Sequence, residues 1–416
     1  MTALPPESTT PSFPAGTSVP DGPRRAAVLS ARSAAAPRSG GPVRSAGPVV
    51  TELRLSAFAS HRGATFPIGP VTIFAGPGGS GKSTALRAYE ALARLGSGDP
   101  LDEVFPDPAG CVPEGAEADA QGRRGFRIGC TTDGPAGPVR LDVAVQAEPT
   151  LRIVGERLTG GGETLLATAL RDPGRSTVQA AWYTAGAVPV TRAPLPDDRL
   201  GTALLPLRVA GRTEGQVRVL AAAEQVVVAL RSVFACEPQP RRMRAPVPTG
   251  DGRLRRGCDN LAAVLERTYA QCGQRHARLV AAAHAGCAGP VTELGVERST
   301  DGLLRAVVGR GGGRVTPVGR LGDGELRYLA LALVLLTGPG VLAVDAAGEV
   351  PSAMQTLTVL ADGLDRDLDG RQLGELVDLA VSIGAAGHLR LVGTVTESGA
   401  MRARETPGVT VVDLES

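Results

Sequence analysis

The chain contains a single lysine, and it stands at the end of a glycine-rich loop. Gly76, Pro77, Gly78, Gly79, Ser80, Gly81, Lys82 and Ser83 fit the pattern G-x-x-x-x-G-K-[ST] at every fixed position, with Thr84 directly after it. Each residue type has a chemical reason. Glycines let the backbone turn with its N–H groups pointing inward, an anion nest at a helix N-terminus. The compact ammonium of Lys82 suits the β- and γ-phosphates of ATP, and the Ser83 hydroxyl can complete the shell of a Mg²⁺ ion. The rest of the chain uses arginine for its basic residues, as a GC-rich coding bias would produce. A planar guanidinium does not replace a flexible ammonium at a phosphate, so lysine survives where the difference matters.

The flanking residues supply the elements such a loop needs. An apolar run at 71–75 precedes it as a strand, and a helix-forming run at 85–95 follows it. Alternating residues at 48–55 predict an opening strand, and a second comes after the turn at His61. Short pieces at 125–130, 139–147, 151–156 and 163–169, bounded by Gly, Pro or Asp, predict an antiparallel meander. Residues 171–214 are too broken to assign. Helical periodicity covers 216–235 and 259–285, with a Pro- and Arg-rich connection between them. Residues 1–47, rich in Pro, Ser, Ala and Gly, read as a disordered tail.

Composition narrows the function. A formal net charge of +2 does not mark the whole molecule as a polyanion binder. No run is long and apolar enough to cross a bilayer, so no membrane partner is expected. The N-terminus lacks a secretory pattern. Six scattered cysteines without a CxxC pair argue against a zinc site or a disulfide frame and fit the cytoplasm.

A second unit lies downstream. Leu321, Gly322, Asp323, Gly324 and Glu325 open a strongly apolar helix at 326–336. A buried-looking strand at 341–344 then runs into Asp345. An apolar strand ending in Asp, downstream of a P-loop, is the Walker B arrangement, whose carboxylate orders Mg²⁺.

In order and content, residues 50 to 415 resemble the SMC/RecF-like branch of the ABC-type ATPases, close to the stand-alone AAA/OLD-like ATPases of bacteria. The residues that carry the likeness are the segments at 53–58, 152–158 and 258–265, the run 321–327 as a signature motif, and the closing pieces at 389–398 and 408–414. The resemblance implies an α/β P-loop NTPase fold: an ABC-type ATPase head at 48–416 with an antiparallel β subdomain and an inserted helical lobe at 97–315. It also implies a homodimer in which two heads sandwich ATP, each signature motif completing the partner's site.

The departures from that family pattern bear on catalysis. The glutamate expected directly after the Walker B aspartate is Ala346, and the next carboxylate is Glu349. The signature serine is Gly322, and the switch histidine is Glu397, within Thr396-Glu397-Ser398. No glutamine stands out as a Q-loop residue. Losing a general base costs ~10²–10⁴ in rate. A lost hydrogen bond to a charged group costs about 1.5–3 kcal/mol. A carboxylate at position 397 would repel a γ-phosphate. The expectation is therefore an ATP-binding, dimerising switch with weak or absent hydrolysis. The alternative is an active ATPase in DNA maintenance or phage defence with Glu349 or another group as base, and a small-molecule kinase is a third class. DNA and a separate effector protein are the candidate partners beyond a second copy.

Overall fold

The computed structural model describes residues 47–184, 190–250, 252–338, 340–343 and 355–415. The N-terminal tail expected at 1–47 thus lies outside the described residues except for Gly47.

Two large sheets and one small one share the described strands. Among the described residues the first has eight antiparallel strands in the order β2-β1-β4-β5-β6-β7-β8-β9. These are β1 (Val49–Phe58), β2 (His61–Pro67), β4 (Arg124–Asp133), β5 (Val139–Glu148), β6 (Arg152–Gly160), β7 (Glu163–Ala169), β8 (Thr177–Tyr183) and β9 (Val190–Pro196). The four expected meander pieces are β4 to β7, and the unassigned region supplies β8 and β9. The second sheet has the order β10-β14-β15-β3-β16, from β3 (Val71–Ala75), β10 (Val233–Cys236), β14 (Leu357–Ala361), β15 (Leu389–Thr394) and β16 (Val409–Asp413). All its pairings are parallel. A small antiparallel sheet joins β11 (Glu293–Arg298), β12 (Leu304–Gly309) and β13 (Val315–Pro317).

Strand β3 is buried on both faces, which is why it reads as an uninterrupted apolar run. Val71, Ile73 and Ala75 enter one core, and Phe74 enters the other. The Phe74 core lies between the two sheets. It contains α1 (Lys82–Ser97) and α4 (Glu214–Arg231), with the short α2 (Leu101–Val104) and α3 (Gly201–Leu204) nearby. The opposite core holds α6 (Leu261–Gln271), α7 (Gly273–Gly286), α8 (Asp323–Leu336), α9 (Gly370–Gly384) and α10 (Glu397–Glu405), with Met243 of α5 (Pro240–Met243).

Two helical expectations are corrected. The helix predicted over 216–235 stops at Arg231, because Val233 to Cys236 pair in parallel with Thr358 to Ala361 and extend the sheet. The one predicted over 259–285 is two helices, broken where Cys272 takes an extended conformation (φ −153°).

Candidate functional site

The P-loop leaves β3 at its C-terminal end, between its neighbours β15 and β16. Crevices at strand C-terminal ends are where open parallel sheets bind ligands. Two glycines of the loop are required by close approach. A β-carbon on Gly76 would lie 2.3 Å from the Leu414 carbonyl oxygen. One on Gly81 would lie 2.6 Å from His61 Nε2, and Gly81 also has φ +90°, in the left-handed region. His61 reaches the loop from the β1–β2 turn, with Nε2 2.9 Å from the Gly81 carbonyl oxygen. Burial pushes its imidazole below the ordinary histidine value, partly offset by that bond.

Lys82 donates from Nζ to the Gly76 and Pro77 carbonyls, each at 2.7 Å. Ser83 Oγ donates to Asp362 Oδ1 at 2.9 Å. Pro77, Gly78 and Gly79 are exposed, whereas Ser80 and Thr84 are buried. The Thr84 hydroxyl accepts a bond from Arg87 at 3.2 Å.

Among the described residues the carboxylate beside Ser83 is Asp362, directly after β14. Asp345, Ala346 and Glu349 lie outside the described residues. The segment at 341–343 just before them does not join the parallel sheet. It pairs with Leu254, which donates to the Val341 carbonyl at 2.7 Å and accepts from Ala343 at 2.9 Å. Both runs end in aspartate after apolar residues, and only β14 lies one strand from β3's neighbour β15. Thr394, at the end of β15, donates to the same Asp362 oxygen at 2.6 Å and accepts from the Gly363 N–H at 2.7 Å.

A cleft of about 530 Å³ opens here, lined among others by Lys82, Ser83, Asp362, Gly363, Arg366 and Thr396. That volume is within the range of roughly 300–1,000 Å³ typical of small-molecule sites. Glu397 is not part of its lining. Thr396 and Ser398 face the cleft, whereas the Glu397 carboxylate accepts from Arg404 at 2.9 Å. Successive residues at the start of α10 point in different directions, so the repulsion expected from Glu397 is directed away from the cleft.

Gly322 is the N-cap of α8, and Asp323, Gly324 and Glu325 form its first turn. Glu325 is committed to structure, accepting from the Gly322 N–H at 3.1 Å and from Ala288 N at 2.9 Å. Arg244, from the arginine-rich connection, bonds the Leu321 carbonyl at 2.9 Å and the Asp323 carboxylate. Sequence reasoning missed this role, since nothing in the local pattern separates Arg244 from its solvated neighbours. It also missed Arg327, which is 3% exposed. Arg327 donates to the carbonyls of Gly363 at 3.1 Å, Arg366 at 3.0 Å and Pro238 at 3.0 Å. Gly324 lets α8 approach this same turn: a β-carbon there would lie 2.1 Å from the Asp367 carbonyl oxygen. The signature-like helix is therefore fastened to the cleft wall.

No family model and no curated protein matches the chain. Among solved structures, the SmcHead bound to the C-winged helix domain of ScpA aligns at 12% identity, covering 83% of this chain and 90% of that one, with a TM-score of 0.46. An SMC head domain from Thermotoga maritima aligns at 13% identity over 85% and 91%, with a TM-score of 0.39. An Smc head with an extended coiled coil, bound to the C-terminal domain of ScpA derived from Pyrococcus furiosus, gives 11% identity, 85% and 91% coverage and a TM-score of 0.44. The fold is defined by the sheet order and by the loop at the end of β3. Among the described residues no helix is long and apolar enough to cross a membrane.

Proposed function

We propose that this chain binds MgATP at the end of β3 and acts as a nucleotide-dependent dimerising switch with weak or no hydrolysis. The observation that carries this is the triad Lys82, Ser83 and Asp362 on one cleft, with glycine directly after the aspartate. Lys82 and the loop amides bind the phosphates, while Ser83 and Asp362 hold Mg²⁺. Asp362 takes the metal-binding role that the sequence suggested for Asp345. In the family pattern the residue after that aspartate is the glutamate that orients water, and Gly363 has no side chain to do so. Its absence lowers turnover by ~10²–10⁴. The N-terminus of α8, with Gly322 and Asp323, meets the nucleotide of a second copy, so ATP favours the dimer.

The test measures MgATP affinity, phosphate release and mass in solution on the wild-type chain and on Lys82→Ala. ATP-dependent dimers with slow turnover, both lost in the variant, support the proposal. Unchanged ATP affinity in Lys82→Ala overturns the site, and fast turnover stimulated by DNA favours the active ATPase.

A further inference from the structure

The turn after Asp362 carries a cation that the family pattern does not call for. A β-carbon on Gly363 would lie 3.2 Å from both Nε and Nη2 of Arg366 and 3.4 Å from its Cζ. The guanidinium therefore lies over the point from which a glutamate at position 363 would project. Arg366 also lines the cleft with Lys82 and Ser83.

We infer that Arg366 is a phosphate-contacting residue, supplied in cis, that reads the γ-phosphate in the space where the family pattern puts a water-orienting carboxylate. This inference rests on the nucleotide-binding proposal above.

Three observations support it. The turn is held rigidly, because buried Arg327 grips the carbonyls of both Gly363 and Arg366, and Arg366 N–H closes back on the Gly363 carbonyl at 3.0 Å. The Arg366 side chain is exposed and makes no hydrogen bond or ion pair among the described residues. The carboxylates around it are committed elsewhere: Asp362 to Ser83 and Thr394, Asp365 to the Thr396 N–H at 2.8 Å, and Asp369 to the Gln372 N–H at 2.7 Å. Asp367 also lines the cleft, so four aspartates there face two side-chain cations. A triphosphate entering this acidic cleft needs Mg²⁺ and both cations. A planar guanidinium suits phosphate oxygens because it can donate two parallel bonds.

The experiment compares MgATP and MgADP affinities of the wild type, Arg366→Ala and Arg366→Lys. A charge-assisted hydrogen bond of the usual strength predicts that Arg366→Ala weakens ATP binding about tenfold to a hundredfold. ADP binding should change less than about twofold, with partial recovery in Arg366→Lys, because the contact is to the γ-phosphate. Equal losses for ATP and ADP, or no loss for either, overturn the inference while leaving nucleotide binding intact. A wild-type chain that binds neither nucleotide would overturn the proposal beneath it as well.

Discussion

Asp362→Asn separates the two aspartates that end apolar runs in this chain. The substitution keeps the side chain's shape and one acceptor oxygen, and since Ser83 (2.9 Å) and Thr394 (2.6 Å) both donate to Oδ1, that oxygen can still receive both bonds. Asp362 is half-buried at the mouth of the cleft, so its fold should tolerate the change. What is lost is the negative charge beside the Ser83 hydroxyl, where Mg²⁺ would sit. An interaction with a charged group is worth about 1.5–3 kcal/mol, a factor of roughly 10–150 in affinity. The assay is ATP binding titrated with Mg²⁺ and repeated in excess chelator. Asp362→Asn should lose about that factor in the Mg²⁺-dependent part and little of the metal-free part. Asp345→Asn should leave both nearly unchanged. The opposite pattern, a large loss in Asp345→Asn and none in Asp362→Asn, would refute the assignment of the metal-binding carboxylate from sheet order.

Gly81→Ala forces a left-handed conformation that costs about 1–2 kcal/mol for an L-residue. It also drives a methyl against His61 Nε2, so both the melting temperature and ATP affinity should fall; an unchanged melting curve would contradict the loop geometry. His61 predicts a pH effect. Burial lowers its native value, so below the ordinary histidine value of about 6.5 the unfolded chain takes up a proton that the native state resists. The stability it contributes is present above that pH and is lost as the pH falls toward the lowered native value. Melting temperatures between pH 8 and 5 should fall more steeply for the wild type than for His61→Gln, and parallel curves would count against it.

The phosphate-binding loop was legible because all its information is contiguous. Gly76 to Ser83 turn, cap and charge a single helix N-terminus, and the flanking apolar run and helix lie within a few residues. The helix after Gly322 was legible for the same reason. The helix expected over 216–235 was overrun by about one turn at its end, where Val233 to Cys236 find a partner in β14 more than a hundred positions away. Cys272 breaks a periodic stretch by its backbone conformation, which no apolar spacing records.

What the sequence determined alone is the chemistry available: one lysine on a glycine loop, a glycine where the signature motif has serine, and no carboxylate directly after either candidate aspartate. What only the tertiary structure decided is which groups meet. Runs 341–344 and 357–361 are near-equivalent as strings, and neither contains the information that β14, not its rival, lies beside β15 and so brings Asp362 to Ser83. Nor does any string show that Glu397 turns to Arg404, or that Arg366 folds over Gly363. These are non-local pairings, fixed by sheet order and by buried side chains such as Arg327, whose hydrogen bonds must be satisfied inside the core.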